Sequence, residues 1–425
     1  MENKKIIQVE DKVPWNLLVP LSLQHMFAMF GATVLVPILF HINPSVVLLM
    51  NGIGTLLFIL ITKGKAPAYL GSSFAFLAPA GLVIKNMGYS YALGGFIAVG
   101  IAACILSFII YKFGIKWIDI VLPAAAMGPV VALIGLELAG TAADQAGLIL
   151  SDKVPVIEPK NVIVFIVTLS VAVLGNVLFR KIFAVIPILI ALVVGYITAL
   201  ITNTVPLKTV KEALSSDLLV VPNFQLPHFN IEAILMILPV ILVLASEHVG
   251  HQIVTSKIIE RDLLKDPGLH RSLFADGIST ILSGFVGSVP TTTYGENIGV
   301  MAMTKVYSVQ VIGGAAILSI IASFVGPVAA LIRTIPGPVI GGISILLYGM
   351  IAASGIRIMV DAQVDYSRSR NLTLTSVIFV IGLSGIALNI KEVTLKGMVL
   401  ACIVGMGMSL LFYIFDKFGL TNDKA

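Results

Sequence analysis

Charge is what this sequence has least of: Asp, Glu, Lys and Arg together make up 12% of its 425 residues, about half the share of a soluble domain. A chain so poor in charge cannot build a water-facing shell, which excludes a soluble globular protein. A surface that faces lipid needs no such cover. Cysteine is nearly missing too. Cys104 and Cys402 both sit inside apolar runs, which argues against a disulfide framework or a cysteine zinc site. The net charge is +5, yet there is no dense Lys/Arg run, so no nucleic-acid footprint exists. The polar start, Met1 to Lys12, lacks a short apolar stretch followed by a small-residue cleavage site. No cleaved signal peptide is expected, and the first apolar stretch reads as a retained span.

What the chain has instead is apolar length: 58% hydrophobic residues and a mean hydropathy of +1.03. A membrane-crossing helix needs about 20 mostly apolar residues. Up to fourteen segments approach that rule, near 16–40, 44–62, 67–84, 91–111, 118–139, 162–179, 182–202, 231–250, 272–287, 290–304, 308–332, 337–356, 371–389 and 396–415. The third and tenth are short and rich in Ser, Thr, Gly and Pro. The expected fold is therefore all-α and integral to the membrane. With the N-terminus inside and fourteen crossings, the inner side receives 19 Lys and Arg and the outer side 8, which obeys the positive-inside rule and puts both termini in the cytoplasm. The polar connection from Asn203 to Asn230 is expected to fold over the outer surface. The stretch from Lys257 to Arg271 reads either as a short interfacial amphipathic helix or as a solvated loop.

A weak internal similarity recurs at a separation near 222 residues. Gln24-His25 in the first segment matches Glu247-His248 in the eighth, and Gly71–Phe74 in the third matches Thr292–Asn297 in the tenth. Both weak segments hold the third place of a seven-segment half. An odd number of spans per half inverts the second half, and paired broken helices in inverted repeats point to a transporter's binding site.

Ionisable residues inside spans are costly and are functional candidates by default. The run Ser246-Glu247-His248-Val249-Gly250-His251 is expected at the end of the eighth segment, with Glu247 and His251 on one helix face and His248 turned away by roughly 100°. A second group, Tyr294-Gly295-Glu296-Asn297, sits in the broken tenth segment. His25, Glu137 and Asp276 stand alone; His25 reads as a packing residue or a substrate contact, and Asp276 as a cap or bridge for the broken helices. Carboxylates accept N–H groups, and interrupted helices offer free backbone N–H groups to carbonyls. Glu247 and Glu296 with the Gly71–Phe74 and Tyr294–Asn297 breaks therefore suit a flat, neutral ring whose edge carries both. Phe74, Tyr294 and Tyr348 would stack on it as walls, and Ser73 and Gly295 belong to the breaks that bind it, Gly71 and Gly295 permitting their backbone geometry. A neutral substrate gains nothing from the membrane potential, so accumulation needs a coupled ion, and His251 and Glu296 are the proton-carrying candidates. The two histidines of the eighth segment are three apart, with no HExxH and no third partner. Met301, Met303, Met406 and Met408 read as packing. No metal, no cofactor and no enzymatic nucleophile–base pair are expected.

The run Glu296-Asn297-Ile298-Gly299-Val300-Met301-Ala302-Met303-Thr304-Lys305 resembles the signature of the nucleobase–ascorbate transporter family. The runs Gln24–Thr33, Ala68–Phe76 and Glu247–His251 resemble its uracil-transporting bacterial branch, and the likeness extends from about Pro14 to Phe415. The resemblance implies fourteen spans in two inverted seven-span repeats. It also implies that the third and tenth segments carry short strands that pair antiparallel. It implies a core domain (14–113 and 231–333), a gate domain (114–202 and 334–416), an outer connection (203–230) and cytoplasmic tails (1–13 and 417–425). Glu247 and Glu296 would hold a pyrimidine edge, with backbone near Phe74 and Gly295; His251 would serve proton coupling; Tyr348 would lie on the gate side. Uracil and a proton would be the partners, in an inner-membrane homodimer. The purine branch commonly has Gln where Glu296 stands, so the acidic residue favours a pyrimidine. A purine permease and an anion transporter of the same fold remain the alternatives.

Overall fold

Backbone polar groups have no water to turn to inside a bilayer, so a chain of this composition must pair them internally, chiefly as helices. The structure, a computed structural model, describes residues 6–150, 156–180, 183–184, 186–390 and 393–421. Of the basic residues weighed for orientation, Lys4, Lys5, Lys153, Lys181, Lys391 and Lys424 lie outside them. The described residues form, in order, α1 (Trp15–Leu39), α2 (Pro44–Ile61), β1 (Leu70–Ser72), α3 (Leu77–Asn86), α4 (Tyr89–Phe113), α5 (Lys116–Val121), α6 (Ala124–Glu137), α7 (Ala139–Gln145), α8 (Pro159–Leu178), α9 (Pro187–Ile201) and α10 (Leu207–Leu214). There follow α11 (Ile231–Ile237), α12 (Val240–Ile259), α13 (Leu269–Val286), β2 (Thr291–Thr293), α14 (Gly295–Thr304), α15 (Val309–Ser323), α16 (Gly326–Arg333), α17 (Gly337–Asp361), α18 (Ser369–Leu383), β3 (Ala387–Ile390), β4 (Val393–Lys396) and α19 (Gly397–Lys417).

Eight of these stretches are long and apolar enough to cross a membrane: α1, α2, α4, α6 with α7, α8, α11 with α12, α17 and α19. The protein is thus a multi-pass membrane protein. Shorter apolar helices are α3 with the turn before it, α9, α15 and α18. Prolines set several breaks, because the ring blocks the preceding turn. Pro123 separates α5 from α6, and Pro239 separates α11 from α12.

One expectation is corrected and one alternative resolved here. The helix carrying Glu247 runs on to Ile259, so the Ser246–His251 run lies in mid-helix and not at its end. Between α12 and α13 there is no amphipathic helix; the charged Glu260, Arg261, Asp262, Lys265 and Asp266 are exposed, as in a solvated turn, over a buried apolar base. A left-handed Glu260 ends α12, and a kinked turn over Leu264–Gly268, extended at Asp266, leads into α13, with Leu263, Pro267 and Gly268 buried. Leu263 packs in one cluster with Val9, Phe58 and Ile259. The 203–230 connection contains the short helix α10. It then runs extended, bonding His228 N–H to Ser90 O and Val220 N–H to Phe324 O.

Helix packing falls into two sets. In one, α4 packs on α13, α2 on α15 and on α13, and α1 on α15. In the other, α6 packs on α17 and α18, α8 on α9 and α17, and α18 on α19. Close approach needs small residues where helices cross in lipid. A Cβ on Gly100 would lie 2.8 Å from Gly277 O, and one on Gly277 2.9 Å from Gly100 O, so the α4–α13 contact is backbone on backbone. Gly128 and Gly355 face each other in the same way between α6 and α17.

An N-terminal strap closes one end of the first set. Ile7 N–H donates to Lys305 O, Tyr307 N–H to Ile7 O and Val309 N–H to Val9 O, while the Arg261 guanidinium grips the Glu10 carboxylate through both nitrogens.

Candidate functional site

The two broken segments meet in the interior. β1 and β2 pair antiparallel, Leu70 with Thr293, Gly71 with Thr292 and Ser72 with Thr291, as the resemblance implied. A two-stranded ribbon leaves two backbone edges unpaired, which is costly away from water. Two threonines from neighbouring helices close them. Thr55 on α2 accepts from Leu70 N–H at 2.9 Å, and Thr280 on α13 accepts from Thr291 N–H at 3.3 Å and donates to Thr291 O at 3.1 Å. Gly71 is required here: a Cβ would fall inside van der Waals contact of the Tyr294 ring.

Each strand runs into a helix start that no side chain caps: a one-turn 3-10 segment at Phe74–Phe76 before α3, and α14 at Gly295. The first N–H groups of such starts have no intrahelical partner. Facing them is the middle of α12. Glu247, His251, Ser72, Phe74, Thr292, Thr293, Tyr294, Gly295 and Glu296 line one cavity of about 380 Å³. His251 Nδ1 lies 3.0 Å from Thr293 Oγ1, and a Cβ on Gly295 would sit 3.4 Å from His251 Nε2. The imidazole is thus pressed against the start of α14. Glu247 is 7% exposed, and among the described residues its Oε2 has no hydrogen-bond partner; neither do Ser72 Oγ, Ser73 Oγ and Asn297 Oδ1 nearby. A buried carboxylate oxygen left free beside a cavity is an acceptor waiting for a donor.

The far wall comes from the second helix set: Val131 of α6, Asn176 of α8, Ile186 and Leu189 around the start of α9, and Met350, Ser354 and Arg357 of α17. The cavity reaches the exposed Met303 and Arg357 at one end.

The remaining expected residues fall around this site and not on its surface. Tyr348 is buried behind Phe74, the two rings meeting edge-on with centroids 5.9 Å apart. Ser73 is buried beside Ser72 and binds Pro290 O through its backbone. Asn297 Nδ2 lies 3.1 Å from His25 Nδ1 and 3.3 Å from His25 O, tying α14 to α1. Asp276 binds His248 and Thr292. Glu137 lies elsewhere, accepting from Met398 N–H at the start of α19. Sequence reasoning placed Ser72 only within the first break and Thr292 and Thr293 only beside the second, and it missed Asn176, Ser354 and Arg357; their types are common in spans, and only the approach of α8 and α17 to the strand crossing brings them together. Among the described residues no group of three or more His, Cys, Asp or Glu is placed to hold a metal ion.

Comparison with known proteins places the chain. The profile described as the permease family matches residues 17–391. The uracil permease of Escherichia coli is 55% identical over 417 residues, covering 97% of this chain and 95% of that one. The uracil permease of Paenibacillus larvae is 51% identical over 423 residues, covering 99% of both. Among solved structures, the transmembrane domain of a cyanobacterial bicarbonate transporter, BicA, superposes with a TM-score of 0.61 at 15% identity, over 95% of this chain and 98% of that one; this likeness concerns the fold alone. With a family profile along most of its length and two relatives at half identity or more, the chain belongs to the permeases of the nucleobase–ascorbate transporter family and is a membrane transporter, not an enzyme.

Proposed function

We propose that the protein imports uracil by proton symport, through alternating access of one central site. The carrying observation is the free Oε2 of Glu247 across the cavity from the uncapped start of α14, with Glu296 on its first turn. Two carboxylates accept the two N–H groups of the ring, and the open helix starts near Phe74 and Gly295 donate to its carbonyls. Phe74 and Tyr294 flank the ring, with Tyr348 and Ser73 as the layer behind them. His25, Asn297 and Asp276 support the site. His251 and Glu296 carry the coupled proton; the ligand is neutral, so only a co-transported charge links its uptake to the membrane potential. The names of the full-length relatives point to the same substrate. A purine permease has the same frame, and so does an anion transporter, but two carboxylates lining the cavity repel an anion.

The architecture we propose has fourteen spans in two inverted repeats of seven. The packing supports it, because contacts come in matched pairs: α4–α13 with α2–α15, α8–α9 with α18–α19, and α6–α18 with α8–α17. The core domain comprises 14–113 and 231–333, and the gate domain 114–202 and 334–416. The cavity wall drawn from both helix sets suits a site that opens as one domain slides on the other. Both termini are cytoplasmic in an inner membrane, and gate domains join two copies.

The test is radiolabelled uracil uptake into proteoliposomes under an inward proton gradient, without sodium. Uptake above equilibrium that an uncoupler abolishes is the expected result. Xanthine uptake that uracil does not compete with would overturn the substrate assignment.

A further inference from the structure

We propose that His248 is a positioning residue for the substrate site: it fixes the rotation of α12 that aims Glu247 and His251 at the cavity. The proposal rests on the uracil reading above. His248 is absent from the cavity lining, and its side chain is completely buried, as is that of Asp276. Its ring is held at both nitrogens. Nδ1 lies 2.8 Å from Asp276 Oδ2, and Nε2 lies 2.8 Å from Ser272 Oγ. Both partners stand one turn apart on the same face of α13, a helix that is itself locked to α4 by the reciprocal contact of Gly100 and Gly277. The ring therefore couples α12 to the most closely packed part of its helix set.

The same carboxylate continues the coupling. Asp276 Oδ2 also accepts from Thr292 Oγ1 at 3.2 Å, in the strand that leads through Tyr294 into Glu296. One oxygen thus joins α12, which carries Glu247 and His251, to β2, which delivers Glu296. Asp276 Oδ1 has no partner among the described residues, so removing the imidazole leaves the carboxylate with the Thr292 hydroxyl alone, and a buried polar group stripped of its main partner drives local rearrangement. Along a helix, residues 247 and 251 are about 40° apart, and 248 lies about 60° beyond 251. The face that is clamped is therefore distinct from the face that meets the cavity, as a positioning role requires. A rotation of α12 by about 20° would move a side-chain tip some 2 Å at a radius of roughly 5–6 Å, enough to break a hydrogen bond.

The experiment compares wild type, His248→Leu and His248→Asn in detergent and in proteoliposomes. It measures uracil Kd, the number of sites per folded transporter, and the KM and maximal rate of uptake. His248→Leu removes both contacts and should raise Kd and KM at least tenfold with the site number unchanged. His248→Asn keeps a donor near the Nδ1 position and should recover most of that loss, to within about threefold of wild type. A purely structural role predicts the opposite split: fewer sites and a lower maximal rate, with Kd and KM unchanged, and that result would overturn the proposal. Should His248→Leu not fold, Ser272→Ala removes one contact only; a Kd about threefold weaker supports the clamp, and an unchanged Kd refutes it. Wild-type protein measured alongside keeps the two readings apart. If it binds xanthine and not uracil, the uracil assignment fails, and the His248 series is then read with xanthine.

Discussion

Adding one methyl group at Gly71 should disable the site through Tyr294, whose ring lies over it. Gly71 lies in the middle of β1, opposite Thr292, with the Tyr294 ring over it. A Cβ there would overlap Tyr294 Cζ and Cε2 and stand 2.7 Å from Cε1, where carbon atoms rest about 3.5–4.0 Å apart. The ring is 3% exposed and its hydroxyl donates to Ser72 O at 3.1 Å, so it has little room to withdraw. Overpacking of this kind costs about 1–3 kcal/mol, and the phenol hydrogen bond adds about 1 kcal/mol. Tyr294 immediately precedes α14, so the strain is relieved where Glu296 begins. A displacement costing about 2 kcal/mol at that point weakens uracil binding roughly 30-fold. The assay is a double-mutant cycle read by equilibrium uracil binding and thermal melting in detergent: wild type, Gly71→Ala, Tyr294→Leu and the pair. Leucine lacks the overlapping atoms, so Gly71→Ala should be nearly silent in that background, with a coupling of about 1–3 kcal/mol. A Gly71→Ala protein with wild-type Kd and melting point, or strictly additive losses, would refute the steric argument.

Glu296→Gln should abolish measurable uracil binding, because one face of the amide donates where the ring also donates; an unchanged Kd removes Glu296 from the site. Thr280→Val strips the β2 backbone at Thr291 of a side-chain partner and should destabilise the protein by about 1–3 kcal/mol, read as a lower melting point, whereas Ser is tolerated. Arg261→Gln should expose the N-terminal strap to limited proteolysis. The Arg261 hydrogen bond holds the Glu10 carboxyl below its ordinary 4.5. The tie is therefore fully present above that pH and is lost as the pH falls through the lowered value. Being an exposed pair, it contributes under about 1 kcal/mol, so acid should speed cleavage near residue 10 without unfolding the rest.

Apolar length and its interruptions were readable because membrane burial leaves so little choice: long runs such as Pro44–Ile61 and Tyr89–Phe113 fall within a few residues of their expected bounds. The breaks at Gly71 and Gly295 were readable for the same reason, being too polar and too short to face lipid. The end of α12 was not. Gln252, Thr255 and Ser256 lower the hydropathy, but they are buried or half-buried against protein, and Ser256 bonds back to Gln252 O. The β3–β4 hairpin was hidden as well, since Ala387–Ile390 continues the apolar run of α18 and differs from it only after Gly385 takes a positive φ. The division of labour between His248 and His251 was half legible. Helical geometry separates their faces, but only the tertiary contact with α13 tells which one meets the cavity.

The ribbon at the centre of the molecule sets an order on its assembly. β1 is complete by Ser72, but its partner arrives only with Thr291–Thr293, more than two hundred residues later. At roughly 5–20 residues per second of synthesis, β1 waits some tens of seconds with one edge open. Thr55 is already made and satisfies the other edge at Leu70. During that interval the nascent first half holds an unpaired strand edge that the finished protein buries, and away from water such an edge is costly until its counterpart is delivered. Neither part of the chain therefore has a finished ribbon without the other.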